Sequence, residues 1–163
     1  CEKVIREFYS EKQKLFYFTK SNSELIARKI DIDDDVIPSS NSIMAHNLYT
    51  LGIYYRKEDW INKCKLMLDQ VEGFIDKYPS SYVNWMSIYD LILRGSKEIT
   101  VLLSKPLVHS ELSNIFQKNH VISYHTELPM SSEIKGNGIY LCQNQHCLPK
   151  MTSVDELLDA LNA

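Results

Sequence analysis

The stretch that decides the reading of this chain is Asp34-Asp35-Val36-Ile37-Pro38-Ser39-Ser40-Asn41-Ser42-Ile43-Met44-Ala45-His46-Asn47-Leu48. It passes from an acidic turn through a proline into a cluster of small polar residues, and then into a helix whose apolar positions are Met44, Leu48, Leu51 and Tyr55. Ser39 or Ser40 is the expected cap, because a short oxygen-bearing side chain accepts the free N–H groups at a helix start. The helix is expected to run to about Arg56. A second reading stands beside the cap. Hydrogen-bonding side chains gathered at a helix N-terminus, where free N–H groups and the helix dipole favour oxygen ligands, suit a polar small-molecule site. Caps are far commoner than sites, so residue types alone favour the cap.

Downstream, Trp60, Cys64, Met67, Val71, Phe74 and Ile75 keep helical spacing from Lys57 to about Tyr78. Pro79 stops that helix, and Ser80 or Ser81 is expected to cap another that Gly95 ends. Short connections between these helices imply αα-hairpins. The pattern changes past Gly95. Glu98 to Leu103 reads as a buried strand, Pro106 to Lys118 as a helix, His120 to Tyr124 as a strand, and Gly138 to Cys142 as another. The first two of these strands are expected to be parallel. Ser153 with Glu156 forms a capping box ahead of Val154, Leu157, Leu158 and Leu161. Upstream, residues Cys1 to Gln13 read as helix, and Lys14 to Thr19 with Leu25 to Ile30 as a short hairpin. The expected class is α+β: helical hairpins with a short β-hairpin over residues 1–95, then a small α/β layer over residues 96–163.

The 163 residues suit one ordinary domain with a workable core. The net charge of −3 comes with no basic stripe, which argues against nucleic acid. No apolar run reaches the roughly 20 residues that cross a bilayer. The chain opens on Cys1, so it is expected to be a piece of a longer protein. The 4 cysteines make no disulfide framework, and the default setting is reducing and cytoplasmic.

Asp31, Asp33 and Asp35 imitate the start of a calcium loop, but Val36 stands where Gly is needed and Ser42 where a bidentate Glu is needed. No metal is therefore expected there. Cys142 and Cys147 flank four residues. Zinc would want a second half-site, and a dithiol motif usually has a two-residue spacer at a helix start. Metal, a redox or disulfide pair, and a structural turn with inward sulfurs all stay open, the last being the commonest. His46 and Asp34 would form an acid–base pair if the acidic loop folded back over the helix; a lone His on such a helix is more often a satisfied structural side chain. No nucleophile elbow, phosphate loop or dinucleotide fingerprint is present, and no cofactor is expected.

Several residues in order resemble a known family: Phe18-Thr19, Leu25-Ile26-x-Arg28, Asp34-x-x-Ile37-Pro38-Ser39-x-Asn41-Ser42-x-x-Ala45-x-Asn47-Leu48, then Tyr140-x-Cys142-x4-Cys147-x-Pro149-x-x-Thr152 and a Leu-rich helix. The chain resembles the C-terminal part of the YyaL-like (spermatogenesis-associated) thioredoxin-domain proteins. Their second domain is an (α/α)6 barrel similar to N-acylglucosamine 2-epimerases and six-hairpin glycosidases. The resemblance implies that residues 1–95 are the last hairpins of such a barrel. It also implies that a thioredoxin-like domain of the same protein is the partner. By likeness to sugar-processing barrels, Arg28, Ser39, Asn41 and Ser42 would bind a sugar-like ligand, with Asp34 and His46 as catalytic groups of an epimerase-like or glycosidase-like activity. The other implied role is a non-catalytic scaffold or redox accessory module in which Cys142 and Cys147 matter most. The isolated chain is expected to be inactive, and to self-associate through faces that the rest of a barrel would cover.

Overall fold

Within a few residues of its start the chain turns from helix to strand. Helix α1 (Glu2–Phe8) ends at Tyr9, whose backbone is extended. Ser10 ends it: its Oγ accepts Gln13 N at 3.1 Å and its carbonyl accepts Lys14 N at 2.8 Å, closing a tight turn. Lys14 takes a left-handed φ of 55° there. The turn joins β1 (Tyr9–Ser10) to β2 (Leu15–Phe16) as an antiparallel pair. The expected helix to Gln13 is thus corrected, since α1 stops at Phe8. Of the hairpin expected between Lys14–Thr19 and Leu25–Ile30, the described residues carry an antiparallel bridge between Tyr17 and Ile30 and a bond from Phe18 N to Lys29 O at 2.8 Å, while Leu25 and Ile26 lie outside the described residues. This computed structural model describes residues 1–21, 27–95, 97–102, 121–125, 137–143 and 146–162.

The next elements are α2 (Ser40–Tyr54), α3 (Glu58–Ile75), a short 3-10 turn (Pro79–Ser81) and α4 (Val83–Arg94). Their apolar stripes meet in one core, in which Leu48, Cys64, Met67, Val71, Trp85 and Ile88 are wholly buried. Truncating Leu48 or Met67 to Ala would cost about 2–5 kcal/mol. Helices α2 and α3 approach closely at Gly52, where a Cβ would lie 2.7 Å from Ile61 Cγ1. Outside the core, Val83, Met86 and Leu93 leave an exposed apolar stripe along α4.

The chain divides into two compact units, Cys1–Leu93 and Arg94–Ala163. The second unit holds a sheet of order β4-β3-β5-β6, formed by β3 (Lys97–Leu102), β4 (Val121–His125), β5 (Gly138–Gln143) and β6 (His146–Cys147). Strands β3 and β4 are parallel, and the helix expected between them at Pro106 to Lys118 lies outside the described residues. Strand β5 runs antiparallel to β3, with Ile99 opposite Leu141 and Val101 opposite Ile139. Those four side chains pack against Met151 and against Leu157 and Leu161 of α5 (Val154–Asn162). Ser153 caps α5 as expected, its Oγ accepting Glu156 N at 3.2 Å, while the return bond reaches one residue earlier, Glu156 Oε2 accepting Thr152 N at 2.8 Å. Among the described residues no helix is long and apolar enough to cross a membrane. The class is α+β.

Candidate functional site

Ser39 is the cap of α2, its Oγ accepting Ser42 N at 3.1 Å. Ser40 is the first residue of the helix, and its backbone is not left-handed. The chain before the cap folds back so that the Asp34 carboxylate faces the helix start. Oδ1 of Asp34 accepts Ser39 N at 2.9 Å and Ser42 Oγ at 2.6 Å. Oδ2 accepts Asn84 N at 3.0 Å and Trp85 N at 3.3 Å from the first turn of α4. One buried carboxylate therefore joins the N-termini of two helices, where partial positive charge collects. Four donors on two oxygens use the whole acceptor capacity of a carboxylate. Asn84 Nδ2 also donates to Ser42 Oγ at 3.0 Å.

Asn41 is fully buried beside this network. Its Oδ1 accepts Phe16 N at 2.7 Å, and its Nδ2 donates to Phe16 O at 2.9 Å and Asp31 O at 2.8 Å. The amide thus plays the part of a neighbouring strand for β2, satisfying backbone groups that would otherwise be buried without partners. Two further ties hold the acidic loop: Trp85 Nε1 donates to Ile32 O at 2.8 Å, and Tyr82 OH donates to the Asp33 carboxylate. Burial, and then that bond to Asp33, push the Tyr82 phenol above its ordinary range.

Arg28 and His46 have other partners. The Arg28 guanidinium lies 3.9 Å over the Tyr17 ring and donates to Thr19 O from Nη2 at 2.5 Å. His46 sits one turn beyond Ser42 on α2, with Nδ1 3.3 Å from Thr50 Oγ1. The Asp34 oxygens are occupied by Ser39, Ser42, Asn84 and Trp85, so the expected acid–base pair of Asp34 with His46 is not formed. The expectation that Ser80 or Ser81 caps α4 is also corrected. Those serines lie in the 3-10 turn, and Asp34 supplies the acceptor instead. Asn84, Trp85 and Tyr82 complete the cluster without any local signal in the sequence; their part depends on a partner about fifty residues upstream.

Cys142 and Cys147 are joined by a disulfide across β5 and β6, which removes the metal reading of that pair. Among the described residues, no group of three or more His, Cys, Asp or Glu side chains is placed to hold a metal ion. The chain matches no protein-family model and no curated protein sequence.

Proposed function

We propose that this chain is a non-catalytic scaffold segment. In this reading residues 1–93 are hairpins of an (α/α)6-type helical array, and the Asp34 cluster ties the array together instead of binding a sugar. The observation that carries the reading is the saturation of the cluster. Every oxygen of Asp34 and every polar atom of the Asn41 side chain is already engaged within the chain. A ligand hydroxyl would have to displace a buried bond to gain one, which leaves little net free energy for binding. The hairpin geometry of α2 and α3, joined only by residues 55–57, supports the helical-array part of the reading. The resemblance supplies the partner, a thioredoxin-like domain of the same protein.

Native mass spectrometry against a panel of mono- and disaccharides tests this, with the unaltered chain and its Asn41→Ala and Asp34→Ala variants. No sugar-dependent mass shift, together with a clear stability loss in both variants, is the expected result. A sugar adduct on the unaltered chain that the variants lose would overturn the scaffold reading and reinstate the cluster as a ligand site.

A further inference from the structure

Cys142 and Cys147 stand directly opposite one another in the register of β5 and β6, with Gln143 opposite His146 between them. Their position distinguishes the bond from one that staples distant parts of a fold. The sequence separation is 5, and a loop that short leaves little unfolded-chain entropy to remove, about 2 kcal/mol against nearly 5 for a 100-residue loop. Other bonds hold the same hairpin. Leu148 N donates to Leu141 O at 2.8 Å, and Ile139 and Met151 exchange two backbone bonds at 2.9 Å. On the other side of the pair, Gln143 Nε2 donates to Arg94 O at 2.8 Å. Residues opposed across an antiparallel pair have Cβ atoms about 4.5–5.5 Å apart, so strand pairing keeps the two sulfurs neighbours when the bond is open.

The two cysteines differ in exposure. Cys142 packs with Leu102 and Tyr140 and is only 5% exposed, whereas Cys147, packed against the same cluster, is only partly buried and lies on the end strand of the described sheet. The buried Cys64 thiol, pushed up to about 12 by desolvation, offers no competing thiolate.

We propose that Cys142–Cys147 is a reversible thiol–disulfide exchange site for a dithiol partner, with Cys147 Sγ as the sulfur attacked. One thiolate of the partner attacks Cys147 Sγ; a mixed disulfide forms as the S–S bond breaks, and Cys142 leaves as a thiolate and takes up a proton. The partner's second thiol gives up its proton and attacks the partner sulfur of the mixed disulfide. Cys147 leaves as a thiolate, is protonated, and the partner departs as its own disulfide. Two electrons and two protons pass to the chain. The proposal does not depend on the scaffold reading of the helices.

The test is a redox titration of the unaltered chain in dithiothreitol buffers of graded reduced-to-oxidised ratio, without denaturant. Differential alkylation and peptide mass spectrometry score each cysteine while circular dichroism follows the fold. Cys142 and Cys147 should titrate together and reversibly, with the spectrum unchanged and Cys64 unlabelled. Reduction that needs denaturant, or that unfolds the chain, overturns the proposal. A second arm compares an aromatic disulfide probe on the Cys142→Ser and Cys147→Ser variants. The remaining Cys147 should react at least roughly tenfold faster than the remaining Cys142, because access limits exchange. Faster reaction at Cys142 overturns the assignment of the attacked sulfur. The titration of the unaltered chain decides reversibility even if a variant does not fold.

Discussion

Oδ2 of Asp34 accepts the backbone N–H of Asn84 at 3.0 Å, across fifty residues of chain. The other oxygen accepts Ser39 N at 2.9 Å, so α2 and α4 share one anion as their N-terminal partner. Each helix start carries orphan N–H groups and a partial positive charge. Bringing two of them together without an acceptor would be unfavourable on both counts. The carboxylate converts that repulsion into a tie, and the acidic loop that carries it is itself held by Asp34 N donating to Ser81 O at 2.7 Å.

Asp34→Ala should therefore destabilise the helical unit by about 3–5 kcal/mol, since buried donors on both helices lose a charged acceptor together. Asp34→Asn keeps one acceptor oxygen but turns an NH2 toward the donors of the other helix, and should lose at least roughly half as much. Urea unfolding followed by circular dichroism measures both. A loss below about 1 kcal/mol in Asp34→Ala, the size of an ordinary surface effect, would remove the bridging role.

Asn41 makes a different prediction because its amide both donates and accepts. Asn41→Ala should cost about 2–4 kcal/mol by orphaning Phe16 N, Phe16 O and Asp31 O. Asn41→Asp keeps the acceptor but faces two carbonyl oxygens, so the introduced carboxyl favours its protonated, donating form in the folded chain. A folded-state pKa raised above the unfolded value gives stability that is present at low pH and lost as pH rises. The Asn41→Asp variant should gain stability relative to Asn41→Ala as pH falls from 7 toward the carboxylate range near ~4. Urea midpoints of the two variants across that range check it, and a constant difference would count against the two-carbonyl environment.

The helices were legible because their signal is local. The spacing of Trp60, Cys64, Met67 and Val71 is the face that α3 buries, and Ser39 is the cap that α2 uses. The end of α1 was less legible, because Ser10 competes for the backbone with its side chain and draws the chain into the β1–β2 turn. At the Asp34 cluster the residue types read correctly as polar and clustered, yet a binding site and a saturated tie share those types. What separates them is the pairing of Asp34 with Asn84 and Trp85 and of Asn41 with Phe16, and none of these distant partners leaves a mark in the local pattern. The cysteine pair posed the same problem at short range. A four-residue spacer fits a turn as well as a bonded hairpin, and the register of β5 against β6 distinguishes them.

The helical unit should lose stability in alkali. Burial raises the Cys64 thiol to about 12 from an ordinary 9.0. Burial first, and then acidic neighbours, also raise the Tyr9, Tyr82 and Tyr89 phenols. These are acids held neutral in the folded chain, so their contribution is complete below the unfolded pKa and is lost as pH rises through the folded one. The Cys64 share alone amounts to about 1.4 kcal/mol by pH 10, at ~1.36 kcal/mol per unit. Urea midpoints should hold steady from pH 7 to about 8.5 and then fall, with a shallower fall in Cys64→Ala. A midpoint independent of pH up to about 10 would mean that these groups are not desolvated as the core packing implies.

Two glycines on adjoining helices should answer the same substitution with opposite signs. Alanine is worth roughly 1 kcal/mol more than glycine in a helix interior, because glycine loses more backbone freedom on folding. At Gly73 in α3 nothing lies within 4 Å of the new Cβ, so Gly73→Ala should stabilise by about 0.5–1 kcal/mol. At Gly52 in α2 the Cβ would meet Ile61 Cγ1 at 2.7 Å, Ile61 N at 3.2 Å and Lys57 O at 3.3 Å. The isoleucine tip can turn aside, but Ile61 N and Lys57 O are main chain, and Lys57 N is already bonded to Gly52 O at 2.8 Å. Relief must come from separating α2 from α3 at the turn that joins them, and overpacking of this kind costs about 1–3 kcal/mol. Gly52→Ala should therefore be net destabilising despite its better helix propensity. Denaturation midpoints of the two variants decide the point. A stabilised Gly52→Ala would mean that the hairpin is more loosely packed at its turn than the Ile61 contact allows.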